Sequence, residues 1–131
     1  MIFLDSSALF ALVVAADPQH ESVRQWCEST TEPLLTTDYC VDELLTLLVA
    51  RKRVSLAVAT GWKIFDQELC QLHFLSPDQI HRAWVLFQQR AAAGWSFTDC
   101  TSKVVIDDLS IATALALDDH FRQFGNVVVV P

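Results

Sequence analysis

The sequence predicts an α/β fold, with a parallel sheet covered by helices on both faces. Three observations predict it. Short apolar runs alternate with longer segments of helical periodicity, the pattern of strands joined by helical crossovers. The 131 residues are 52% apolar and 19% charged, enough for a sizeable core in one domain spanning residues 1–131. Only three glycines and four prolines occur, so no flexible linker divides the chain.

The elements follow in order. Residues 1–4 read as a short buried strand, and "SSALFALVVA" as a helix with Ser6 or Ser7 as its N-cap. "DPQHESVRQWCES" reads as a second helix, with Pro18 near its first turn and Val23, Trp26 and Cys27 on one face. "PLLTT" is the second strand. Asp38 then caps the helix "YCVDELLTLLVARK", in which Val41, Leu44, Leu45 and Leu48 form an apolar stripe. Arg51 and Lys52 suit that helix's C-terminus. A further helix covers 55–67, "CQLHFLS" is the third strand, and Pro77 opens a helix reaching about Ala93. Gly94 breaks it, and Thr98 caps the next helix. "IATALALD" is a strand ending in acid, "DHFRQFG" a short helix closed by Gly125, and "NVVVVP" the last strand. Crossovers in such a sheet are right-handed, and its functional crevice lies at the carboxyl ends of the strands.

Several classes are excluded or disfavoured. No apolar run approaches the ~18 residues of a membrane span, and nothing basic precedes the N-terminal apolar residues as in a signal peptide. Cys27, Cys40, Cys70 and Cys100 form no C-x-x-C pair, so structural zinc is disfavoured and free thiols in a reducing cytoplasm are expected. The net charge of −7 argues against coating nucleic acid by bulk electrostatics. It is compatible with an enzyme that handles a phosphodiester through metal ions held by clustered carboxylates.

Such a cluster is legible. Asp5 ends the first strand and Asp118 the fourth, so both lie at the same sheet edge. Asp99, just after Thr98, and Glu43 lie in early turns of helices that begin at that edge. Two carboxylates about 4 Å apart repel by about 4 kcal/mol at an effective dielectric of about 20. Four together require protonation or a cation. Oxygen ligands with open positions suit Mg²⁺ or Mn²⁺, the apparatus of phosphodiester hydrolysis by an activated water. Ser6 and Thr98 could orient a carboxylate or a water, beside their capping roles. Alternatives stay open: Asp42 could replace Glu43, Asp119 competes with Asp118, Asp38 reads as a cap, and Asp107 and Asp108 face solvent. His20, His73, His81 and His120 show no ligand spacing and read as surface or packing residues. "RKR" at 51–53 reads as a solvated face.

The stretches "FLDSSAL", "LLTTDYCVDELLTLL", "WSFTDCTS" and "ALALDDHFRQFG" resemble a PIN-domain ribonuclease, the VapC-type toxin of bacterial toxin–antitoxin pairs. The resemblance spans nearly the whole chain. It implies a five-stranded sheet of order 3-2-1-4-5 and maps the family's acids onto Asp5, Glu43, Asp99 and Asp118. It implies Mg²⁺- or Mn²⁺-dependent endonucleolytic cleavage of RNA, a homodimer, and a cognate antitoxin that blocks the acidic pocket. Where many relatives carry Thr or Ser before the last acid, Leu117 stands here and Asp119 follows. Two rival readings remain: a non-catalytic acidic binding module, and a haloacid-dehalogenase-type phosphatase with Asp5 as nucleophile. The latter chemistry favours D-x-D, whereas position 7 is Ser7.

Overall fold

Strand β1 (Ile2–Leu4) holds the centre of the molecule because its three residues are apolar on both faces of the pleat. Ile2 and Leu4 enter one core and Phe3 the other, and all three are excluded from solvent. The computed structural model describes residues 1–131. The elements run β1, α1 (Ser6–Val13), α2 (His20–Ser29), β2 (Leu34–Thr37), α3 (Asp38–Ala50), α4 (Val54–Phe65), β3 (Gln71–His73), α5 (Pro77–Arg90), α6 (Phe97–Asp108), β4 (Thr113–Leu115) and β5 (Val128–Val130). Short 3₁₀ turns cover Ala91–Ala93 and Asp119–Gln123.

The sheet has the order β3-β2-β1-β4-β5, as the family resemblance implies, and every pairing is parallel. β1 pairs with β2 through Ile2 opposite Leu34 and with β4 through Leu4 opposite Leu115. The carboxyl ends of β1 and β4 are therefore level. One core, around Phe3, joins the sheet to Cys100, Val104, Val105 and Ile106 of α6 and to Phe121. The other, around Ile2 and Leu4, joins it to Leu9 of α1, Val23 of α2, Leu44 and Leu48 of α3 and Ile64 of α4. Buried Thr36 serves the same sheet by donating its hydroxyl to the Leu4 carbonyl at 2.9 Å.

The helix starts differ from the sequence reading. Asp5 caps α1, in place of Ser6 or Ser7. Thr37, not Asp38, caps α3 by accepting from the Cys40 N–H; Asp38 instead accepts the Leu75 N–H at 3.1 Å, tying α3 to the segment after β3. Ser96, not Thr98, caps α6 in a reciprocal capping box with Asp99. Each time, a polar residue one or two positions earlier has the extended backbone that a cap requires. Pro18 lies in the turn directly before α2, near the helix's first turn as expected. Asp107 and Asp108 face solvent, as expected, but are paired: Asp107 with Lys103, and Asp108 with Arg82 through both terminal nitrogens.

Leu44→Ala should destabilise the protein by about 2–5 kcal/mol through the cavity it leaves, whereas Val49→Ala on the exposed face of the same helix should cost under about 0.5 kcal/mol. Urea unfolding of both variants checks the assignment; equal losses would contradict it.

Candidate active site: an acidic pocket at the sheet edge

Asp5 leaves β1 where the chain must turn into α1, and its carboxylate satisfies the new helix start. Its Oδ2 accepts the Ser7 N–H at 3.2 Å and the Ser7 hydroxyl at 2.5 Å. The same Ser7 oxygen accepts the Leu117 N–H at 3.0 Å. That bond takes Leu117 out of the sheet ladder, so β4 ends at Leu115 and Asp118 lies three residues beyond it. The serine at position 7, which speaks against a phosphatase D-x-D, thus clamps the ends of two strands together.

Glu43 projects from the second turn of α3 and accepts the Ser6 hydroxyl at 2.5 Å. Asp42 beside it is exposed and joins none of these contacts. Asp99 is 4% exposed at the start of α6. Its Oδ2 accepts the Ser96 N–H at 2.8 Å and faces His120 Nδ1 at 2.9 Å. Asp118 caps the 3₁₀ turn, accepting the His120 N–H at 2.9 Å, with His120 Nδ1 3.3 Å from the same oxygen. His120 Nδ1 meets only carboxylate oxygens, so it carries the proton and donates. Ligand atoms of Asp99, Asp118 and His120 all lie within 4.8 Å of one another, a set able to hold a metal ion.

Electrostatics binds the remaining acids to this set. Burial pushes the Asp5 carboxyl up to about 7, and the charges of Glu43 and Asp99 add to the effect against the opposing Ser7 hydrogen bonds. Burial likewise raises Asp99, with the Asp118 charge contributing and the Ser96 and His120 hydrogen bonds opposing. Beneath them the Cys40 thiol is pushed up to about 12 by burial and by Asp5. It stays a neutral thiol 3.6 Å from the Ser102 hydroxyl.

Asp5, Glu43, Asp99 and Asp118 are therefore brought to one edge, and Ser6 reaches Glu43. Asp119 is turned away, 94% exposed and loosely opposite Arg122. Thr98 neither caps α6 nor touches an acid; its carbonyl accepts the Thr101 hydroxyl. The reading of His120 as a surface or packing residue is overturned. Its partner Asp99 lies 21 positions earlier, a separation that no ligand-spacing pattern covers. The available signal is its position two residues after Asp118, the acid that the sequence reads as ending a strand.

The chain matches the PIN domain family over residues 2–125. It is 30% identical over 131 residues to the 23S rRNA-specific endonuclease VapC20 of Mycobacterium tuberculosis, covering 100% of this chain and 99% of that protein. To ribonuclease VapC26 of the same organism it is 27% identical over 138 residues, covering 99% and 100%. The crystal structure of M. tuberculosis VapC20, described as a sarcin–ricin loop cleaving toxin, superposes with a TM-score of 0.91 at 29% identity over the full length of both chains. FitAcB from Neisseria gonorrhoeae shares the fold at a TM-score of 0.67 and 18% identity, covering 100% of this chain and 97% of that one.

A carboxyl whose folded pKa is raised makes the native state bind more protons than the unfolded chain. Stability is therefore lost as pH rises from the ordinary value of 3.8 through about 7. In chelator-treated protein the unfolding free energy should fall by a few kcal/mol across that window. Asp5→Asn should flatten the fall and raise Tm at pH 8. Calorimetric scans of both proteins from pH 4 to pH 8 check this; a wild-type Tm that rises with pH would contradict it.

Proposed function

The chain belongs to the PIN-domain family, and from that premise we propose that it is a metal-dependent endoribonuclease of the VapC type, the toxin of a toxin–antitoxin pair. One observation carries the reading: acids spread over more than a hundred residues meet at the carboxyl edge of the sheet, two of them almost wholly buried.

The residues fit a hard divalent cation. Carboxylate oxygens predominate in the donor set, and the acids face one another with no lysine or arginine bonded among them. Asp5, Glu43, Asp99 and Asp118 would hold Mg²⁺ or Mn²⁺, directly or through water. The chemistry that such an ion supplies when bound is charge neutralisation, polarisation of the phosphodiester and a lowered pKa for a water.

The chain's own side chains set the geometry. Ser7 holds Asp5 and, through the Leu117 N–H, the segment that delivers Asp118. Ser6 orients Glu43. His120 Nδ1 lies between Asp99 and Asp118 and ties their side chains together. Ser96 fixes the second side of Asp99. Each acid is thereby held by a hydrogen-bond donor from outside the acid set, as preorganised sites require. No side chain need act as nucleophile.

The likeness to VapC20 makes 23S ribosomal RNA, and its sarcin–ricin loop, the substrate to test first. The same reading gives the protein a cognate antitoxin and a homodimeric state. Exposed Val54, Val58, Trp62 and Phe65 along α4 support burial of that helix against another chain. No helix is long and apolar enough to cross a membrane.

Purified protein supplied with Mg²⁺ or Mn²⁺ should cut ribosomal RNA, and chelation should stop it. Asp99→Asn should abolish cutting while its circular dichroism stays that of the wild type. Cleavage retained by the Asp99→Asn protein would contradict the assignment.

A further inference from the structure

The largest cavity, about 430 Å³, reaches the acid cluster only at Asp118. It lies between the start of α2 and the segment that leaves β4. Ala116, Leu117 and Pro131 supply its less polar lining; Gln19, Ser22, Asp118 and Arg122 supply the polar part. Its size falls in the range of ~300–1,000 Å³ typical of small-ligand sites.

Arg122 is the one cation in this lining. Its Nε is 3.9 Å from an Asp119 oxygen, and Asp119 is 94% exposed, so the pair is loose and the terminal guanidinium nitrogens are free. Arg24 and Arg82, by contrast, are clasped by carboxylates at 2.6 Å, and Lys103 is held at 2.8 Å. Arg122 follows Asp118 by four positions on a 3₁₀ turn, an advance of about 8 Å. The Gln19 backbone N–H is used by Asp17, while its side-chain amide and the Ser22 hydroxyl have no protein partner. A free guanidinium, an apolar surface and unpaired amide and hydroxyl groups beside a catalytic carboxylate suit a phosphate, a base face and a base edge respectively. A free anion would be repelled by Asp118. A strand that also crosses a cation-loaded acid cluster would not.

We propose that this cleft is a nucleotide subsite for the RNA strand: it seats a nucleotide adjoining the scissile phosphate, with Arg122 on that nucleotide's phosphate and Gln19 and Ser22 on its base edge. The inference rests on the ribonuclease reading and adds the residues that set which nucleotide is accepted next to the cut.

The test has two arms. In the cleavage-deficient Asp99→Asn background, binding of short single-stranded RNA is followed by fluorescence anisotropy across a KCl series. Adding Arg122→Ala should weaken binding about tenfold for every sequence and reduce the log–log salt slope by about 0.7, one phosphate contact. Adding Arg24→Ala, which lies outside the cleft, should change neither. In the otherwise wild-type protein, the Gln19→Ala/Ser22→Ala pair is given an RNA library, and its cleavage ends are sequenced. Base preference should change several-fold at a single position beside the cut. Wild-type affinity and salt slope in the Arg122→Ala protein, or wild-type base preference in the double variant, would overturn the subsite while leaving the ribonuclease assignment intact. Failure of the wild-type protein to cut any RNA would instead overturn that assignment and the subsite with it.

Discussion

Asp5 is a carboxyl group 3% exposed, at the mouth of a parallel sheet and within electrostatic reach of two further acids. Burial and like charge both oppose its ionisation, and nothing basic is bonded to it. A folded chain keeps such a group where surrounding structure determines its position strongly. Here that structure is the sheet itself. β1 and β4 are adjacent and level at their carboxyl ends, so the turns that leave them cannot avoid each other. Each turn must satisfy a helix start, and short acids are good helix caps. The cap position and the position facing the acidic pocket therefore coincide at Asp5 and Asp118.

The two cores serve this arrangement from opposite sides. The side built on Ile2, Leu4 and the apolar face of α3 fixes the helix from which Glu43 projects. The side built on Phe3, α6 and Phe121 fixes Asp99 and the turn carrying His120. Phe121 lies one residue after His120 and is wholly buried, with its ring 6.1 Å from that of Phe3. The imidazole between Asp99 and Asp118 is thus set by core packing at the neighbouring residue. Gly94, with φ of +90°, closes the other side: a Cβ there would stand 3.5 Å from His120 Nε2, and the left-handed backbone would itself be strained.

The sheet, its helical crossovers and the edge on which the acids gather were legible in the sequence. Apolar runs separated by amphipathic segments admit few arrangements, and strand-end aspartates mark the functional edge. The strand order came from resemblance to a family, since periodicity alone does not specify which strands are neighbours. The choice of Asp118 over Asp119 depended on a turn geometry that periodicity does not encode: Asp118 folds back onto the His120 N–H and Asp119 points outward. The caps are not legible in the sequence because Thr37, Ser96 and Asp5 compete with polar neighbours of similar propensity, and only the extended backbone at each position decides between them. The role of His120 is not legible in ligand spacing because Asp99, to which it is bonded, lies 21 positions earlier, although its other partner, Asp118, is a near neighbour. The sequence offers Ser7 as a cap candidate and as a non-acid where D-x-D would need an acid, whereas its hydroxyl joins Asp5 to the chain leaving β4.

In the proposed function these carboxylates form one site whose mutual repulsion a hard divalent cation would relieve. Calorimetric titration of Mn²⁺ into the protein at pH 7, repeated in buffers of different ionisation enthalpy, tests it directly. Saturable uptake should release protons, because Asp5 is only partly ionised at that pH without the ion, and Asp5→Asn should remove most of the release. Absence of saturable Mn²⁺ uptake, or uptake that is identical in the Asp5→Asn protein, would contradict the account.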